Sequence, residues 1–217
     1  MPGTTGWENV MTAELLAKTH PWGISNFQGQ HAGLDAAKII VRDIALAVHE
    51  GPASFKSFCN SGDLAKDRRE AAAFLANVYK ETGGFGAFVE VSPHGVYCTN
   101  GGPQGPEGGE GMRAAGVDYP CCDAAQEYAC DFRGRGAIQL SWNINYGKFS
   151  EFYYGDRYKL LKNPELVVGD GKIGWAASLW FWMTPQDYGG QCPPKQLDRI
   201  MPTGKQSCHQ ALSLIHI

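Results

Sequence analysis

The sequence predicts a mainly α-helical domain, α+β only in carrying one small β-hairpin. Three observations predict it. Three segments repeat apolar residues at helical spacing, strand-like alternation is confined to two short stretches, and no internal repeat or second composition regime divides the chain. With 217 residues, 43% of them apolar and 19% charged, the chain is long enough to bury one core and too apolar to stay disordered.

Residues 1–34 show no sustained pattern and form an N-terminal segment of unassigned structure. Asp35 to Glu50 places Ala37, Ile40, Val41, Ile44 and Val48 on one helical face, and Gly51 follows as a stop. Glu70 to Tyr79 repeats the pattern through Ala71, Phe74, Leu75 and Val78, after a charged lead-in of Lys66, Asp67, Arg68 and Arg69. That helix ends near Gly83 and Gly84. Phe88 to Val91 and Ala137 to Ser141 alternate as the strands of the hairpin, and the glycine- and proline-rich stretch Thr99 to Pro120 reads as an irregular surface loop. Asp170 to Met183 is apolar nearly all round, which describes a helix sunk through the domain. Its aromatic residues suit core packing better than a sugar-stacking platform.

A net charge of −3 and a pI near 6.1 give no basic footprint for nucleic acid. No apolar run is long enough to span a bilayer, and the first residues lack a basic start followed by an apolar run. Neither a nucleic-acid partner nor a membrane is expected, and the chain is expected to be a monomer. Seven cysteines are many for a reducing compartment. Cys59, Cys98, Cys121, Cys122, Cys130 and Cys192 suffice for three bridges, with Cys208 left over and the connectivity open. A zinc site from Cys98, Cys121, Cys122 and Cys130 is the alternative, but adjacent cysteines cannot easily both face one tetrahedral ion, and paired C-x₂-C clips are absent.

Glu81 falls one turn after Val78, on the flank of the apolar stripe and close to the helix end. Burial there, and the negative end of the helix dipole, both favour a carboxyl that keeps its proton. The plain alternative is an exposed terminal glutamate. Glu90 lies nine positions on, in the alternating Phe88-Val89-Glu90-Val91, after Gly83, Gly84 and Gly86 let the chain turn sharply. Two carboxyl groups flanking one turn match what glycosidic hydrolysis needs, an acid and a base, standing about 6.5–9.5 Å apart in inverting enzymes. A strand glutamate is also often just solvated. The block from Arg133 to Gly147 packs Gln139, Ser141, Asn143 and Asn145 together; if extended, alternation sends all four to one side. Such neutral donors and acceptors suit a sugar with hydroxyl and acetamido groups, and equally suit a buried polar network.

Five signals in order then form a specific resemblance: Lys80-Glu81-Thr82-Gly83-Gly84; Glu90; Gly134-Arg135-Gly136 through Gln139-Leu140-Ser141-Trp142-Asn143 to Asn145-Tyr146-Gly147; Asn163-Pro164-Glu165-Leu166-Val167; and Leu179-Trp180-Phe181-Trp182-Met183-Thr184-Pro185-Gln186. Together, over roughly residues 35–190, they resemble the family 19 chitinases of plants and bacteria. The resemblance implies a lysozyme-like, two-lobed helical domain with a cleft, in which Glu81 is the general acid, Glu90 the general base and Ser141 helps hold the nucleophilic water. It also implies substrate contacts at Gln139 and Asn145, with Asn143, Trp142 and Tyr146 of the same block beside them. The implied protein is a secreted endochitinase that inverts at the cleaved bond, needs no cofactor or metal and acts on chitin or chitin oligosaccharides. A muramidase acting on peptidoglycan is a related reading; a chitin-binding defence protein without turnover is another. The Gln-Leu-Ser-Trp-Asn block favours chitin, and the intact carboxylates favour turnover.

Lys80 stands where the family usually has histidine, Phe132 and Arg133 where many members have two tyrosines, and Ile144 where an aromatic is usual. An ammonium next to Glu81 would favour its ionised form. The catalytic domain is expected over 35–211, incomplete at its C-terminal end because the family continues with a further helical segment. Residues 212–217 fit nothing in the family and are expected to be a non-native tail.

Overall fold

A computed structural model describes residues 6–19, 25, 29, 31–91, 97–98, 118–122, 125 and 127–184 of the chain. Two short helices, α1 (Gly6–Val10) and α2 (Ala13–Thr19), precede α3 (Gly33–Glu50), a 3₁₀ turn (Ala53–Ser57) and α4 (Leu64–Glu81). The second half holds α5 (Asn143–Tyr154), α6 (Lys159–Lys162), α7 (Leu166–Gly169) and α8 (Gly171–Met183).

The expected helix over 35–50 is α3, which buries Ala37, Ile40, Ile44 and Val48 as its periodicity requires. The helix expected over 70–79 starts earlier, because the Asp63 side chain accepts hydrogen bonds from Ala65 N and Lys66 N and caps α4 there. The charged lead-in is thus helical. Its Asp67 is buried and accepts from Ser61 N at 2.8 Å. Asp170 caps α8 in the same way, accepting from Lys172 N at 2.9 Å. The aromatic run of α8 is core: Trp175 and Trp182 are buried, and Phe74 of α4 lies 6.2 and 5.5 Å from their ring centroids. Helix α3 packs against α8, so three helices close around one apolar centre. Each large side chain removed from water there contributes about 1.5–3 kcal/mol.

Residues 6–19, left without structure by the pattern, belong to the same core. Trp7 is fully buried, its ring 5.7 Å from Phe58 and its indole N–H donating to Val41 O at 3.1 Å, and Leu16 is fully buried as well. Helices this short carry too few residues for a period to show.

The expected hairpin is reduced to isolated antiparallel bridges, Val89 with Arg135 and Arg135 with Leu140. Gly136 and Gln139 both take positive φ (84° and 49°), which turns the chain before a ladder can extend. The extended reading of Asn143 and Asn145 is also corrected, since both lie in the first turn of α5. Alternation therefore does not line these asparagines up with Gln139 and Ser141. Adjacent Cys121 and Cys122 take different partners, giving Cys98–Cys121 and Cys122–Cys130. Cys59 is not bridged as expected; it is a buried free thiol, and burial pushes its ionisation far up. Cys192, Cys208, the tail 212–217 and most of the loop from Thr99 lie outside the described residues. Among the described residues no helix is long and apolar enough to cross a membrane, and no group of His, Cys, Asp and Glu could hold a metal ion.

Candidate active site

Glu81 is the last residue of α4, and the turn after it is closed by one buried threonine. Thr82 Oγ1 donates to Val78 O at 2.6 Å and accepts from Phe85 N at 2.8 Å, while Thr82 O accepts from Gly86 N and Ala87 N at 3.0 and 2.9 Å. Gly83 and Gly84, at φ 57° and 84°, make that reversal possible without a Cβ penalty. Phe85 pins it by burying its ring in the core. Residues 82–87 are therefore a closed ring, with Glu81 one residue outside it at one end and Glu90 three residues outside at the other.

The segment leaving the ring is held against the glycine-rich turn. Gly136 N donates to Phe88 O at 2.9 Å and Glu90 N to Gly134 O at 2.8 Å. Both carboxylate oxygens of Glu90 are engaged: Tyr97 Oη donates to Oε1 at 2.7 Å and Gly134 N to Oε2 at 3.0 Å. Glu81 is half-buried, and its side chain makes no hydrogen bond or ion pair among the described residues. Lys80 is exposed and does not pair with it.

Gly134 is the point where the polar block meets Glu90. A Cβ on it would lie 2.7 Å from Gln139 Oε1 and 3.3 Å from Ser141 Oγ, so both side chains cover the residue whose N–H holds the carboxylate. Ser141 Oγ donates to Gln139 O at 2.9 Å, and Gln139 Nε2 donates to Gly136 O at 3.1 Å. Asn145 Nδ2 reaches back to Ser141 O at 2.9 Å. Gln139, Ser141, Trp142 and Asn145 are all partly exposed. Asn143 and Tyr146, expected among the sugar contacts, lie underneath instead. Both are fully buried, Asn143 Nδ2 donating to Tyr119 O at 2.5 Å and Tyr146 Oη to Arg133 O at 2.9 Å. Burial pushes the Tyr146 hydroxyl well above its ordinary ionisation range, against the pull of Arg135.

Two participants escaped the sequence reading. Tyr97 reaches Glu90 from seven positions away, and its only visible signal was its place next to Cys98. Arg135 lies within the polar block, where nothing in its spacing marks a role. It is 2% exposed, and its Nη1 donates to Asp131 O, Arg133 O and Tyr146 Oη at 3.1, 3.3 and 3.2 Å while Nη2 bonds Glu165 at 2.5 Å. The arginine thereby fixes the turn that presents Gly134. Strain concentrates here as well: Tyr97, Gln139 and Trp142 hold φ of 47°, 49° and 74°, values a non-glycine residue keeps only where its surroundings over-determine it.

The chain is similar to known proteins in sequence and in fold. Residues 43–212 match the family 19 glycoside hydrolase profile described as Chitinase class I. Endochitinase 2 of Gossypium hirsutum is 39% identical over 141 residues, 64% of this chain and 43% of that protein. Chitinase 1 of Oryza sativa subsp. japonica is 34% identical over 152 residues, 70% of this chain and 44% of that protein. The chain thus spans about two fifths of the length of the curated relatives it matches. Among solved structures, chitinase C from Streptomyces griseus HUT6037 superposes with a TM-score of 0.56 at 28% identity, covering 81% of this chain and 67% of that one. A bacterial family 19 chitinase gives 0.52 at 27% identity, with 82% and 71% covered. On its sequence match, helical architecture and clustered motifs alike, the chain belongs to glycoside hydrolase family 19, the chitinase class I family.

Proposed function

We propose that the protein is an endo-acting chitinase, which hydrolyses β-1,4-linked N-acetylglucosamine polymers by a single displacement with inversion. The observation that carries this reading is the clamped Glu90 carboxylate, both oxygens bonded, on the chain that leaves the closed turn after Glu81. Glu81 donates its proton to the glycosidic oxygen as that bond breaks. Glu90 takes a proton from a water that attacks the anomeric carbon from the opposite ring face. Atoms balance with one water added, and proton exchange with solvent resets both carboxyl groups. The chemistry requires no cofactor.

Ser141, whose Oγ lies against Gly134, the residue whose N–H bonds Glu90, helps hold the attacking water. Gln139, Trp142 and Asn145, all partly exposed, supply contacts to the sugar. Asn143 and Tyr146 support that surface from below. Two disulfides fit a protein that works in an oxidising, extracellular compartment.

The test is reducing-sugar release from chitin oligosaccharides by the intact protein, Glu81→Gln and Glu90→Gln, with oligosaccharide binding followed in parallel. Each substitution is expected to lower turnover by about 10²–10⁴-fold while binding persists. The first product formed is expected to carry the α anomer, read by proton NMR. Full turnover in either variant, or a β-anomeric first product, would refute the mechanism; binding without turnover in the intact protein would favour a chitin-binding role.

A further inference from the structure

We propose that Tyr97 is a positioning residue for Glu90, and that the Cys98–Cys121 bridge holds Tyr97 where it can act. The inference rests on Glu90 being the general base. A carboxylate on a flexible side chain samples several rotamers, and only those aiming a free lone pair at the water are productive. Here one oxygen accepts from Gly134 N and the other from Tyr97 Oη, so the plane of the carboxylate is set from two sides. The hydroxyl donor at 2.7 Å is the shorter of the two contacts.

Tyr97 is itself held with unusual thoroughness. Its φ of 47° is unfavourable for a residue with a Cβ, and three neighbours fix it. The carbonyl accepts from Asn143 N at 3.2 Å at the start of α5, the ring meets Trp142 edge-on at 5.2 Å, and the next residue, Cys98, is bonded to buried Cys121. Cys121 adjoins Cys122, which is bonded to Cys130, four positions before Gly134. Both donors to Glu90 thus sit on segments joined by a continuous covalent path through two disulfides. Bridges in a small domain usually act on stability alone. This pair also ties together the two groups that orient one carboxylate.

The experiment measures kcat, KM and melting temperature on the full chain with a chitin oligosaccharide. The variants are Tyr97→Phe, the double substitution Cys98→Ala with Cys121→Ala, their combination, and Glu90→Gln. Tyr97→Phe keeps the ring on Trp142 and removes only the hydroxyl. It is expected to lower kcat about tenfold or more, as loss of a hydrogen bond to a charged group does, with KM and melting temperature unchanged. The cysteine pair is expected to lower kcat in the parent but to add little to Tyr97→Phe, since both act through one contact. An unchanged kcat in Tyr97→Phe, beside an inactive Glu90→Gln, would overturn the role of Tyr97 and leave the base in place. Equal losses from the cysteine pair in both backgrounds would overturn the role of the bridge, and turnover persisting in Glu90→Gln would remove the base itself and this inference with it.

Discussion

Gly134 is the residue on which most of the site converges, and its lack of a side chain is what lets it do so. Its N–H and C=O both bond Glu90, and the space a Cβ would fill holds Gln139 Oε1 at 2.7 Å and Gln139 Cβ at 3.1 Å. In Gly134→Ala the flexible end of Gln139 swings away, but Gln139 Cβ, next to the backbone, must also shift by a few tenths of an ångström. Turnover is therefore expected to fall about tenfold or more, since misplacing a catalytic contact by a fraction of an ångström is costly, while stability changes by about 1 kcal/mol. Steady-state kinetics beside a thermal melt checks this, and an equal loss of both would show a general folding defect instead. Much of this residue-level picture was legible beforehand. The spacing of two glutamates about a glycine turn and a dense polar block single out Glu81, Glu90, Gln139 and Ser141 as candidates, and the family resemblance assigns their roles. Tyr97 was not legible, because its contact with Glu90 depends on a positive φ and a disulfide that no local pattern encodes.

Helix α5 shows how an element can be hidden from pattern reading and still decide the site. Its residues mix polar and aromatic types with no clean apolar stripe, and it opens at Trp142, with φ 74° and no capping side chain. What seats it is close packing: a Cβ on Gly147 would lie 2.1 Å from Tyr119 Cδ1, so the Tyr119 ring lies directly on the helix backbone. Tyr119 O also receives Asn143 Nδ2, and two residues later Cys121 bonds Cys98. Alanine for glycine inside an exposed helix normally stabilises by about 1 kcal/mol. In Gly147→Ala the added methyl would overlap the Tyr119 ring, which outweighs this, and a net destabilisation of about 1–3 kcal/mol is expected. Urea denaturation measures it, and a rise in stability would show that Tyr119 is free to move. Helices α3, α4 and α8, by contrast, were visible because each shows an apolar character long enough to read, and their errors were at the ends, where the Asp63 cap rather than periodicity sets the boundary.

The molecule as a whole carries a pH dependence that its core explains. Burial pushes the Glu70 carboxyl above its ordinary value of 4.5, against the hydrogen bond it accepts from Cys59 N at 2.9 Å. Above that ordinary value the unfolded chain releases the proton while the folded protein still keeps it. Stability therefore falls as pH rises from the ordinary value to the raised one, and the loss remains at higher pH. Glu70→Gln keeps an acceptor for Cys59 N and removes the titration. Its melting temperature is expected to vary less with pH across that window than the parent's; parallel curves would assign the dependence to other groups.

Composition and periodicity were enough to establish a mainly helical domain and its three long helices, and motif spacing singled out two candidate carboxyl groups and a polar block whose roles came from the resemblance to family 19. These are local or one-dimensional properties: a helix face repeats every few residues, and Glu81 and Glu90 share one turn. Pairing was beyond them. Which cysteines join, that Asn143 and Tyr146 lie beneath the surface, that Arg135 braces the glycine turn, and that Tyr97 and Gly134 grip one carboxylate all depend on contacts between residues far apart in the chain. Such contacts are selected by how the whole core packs, and packing admits many distant pairings that leave the same local pattern behind.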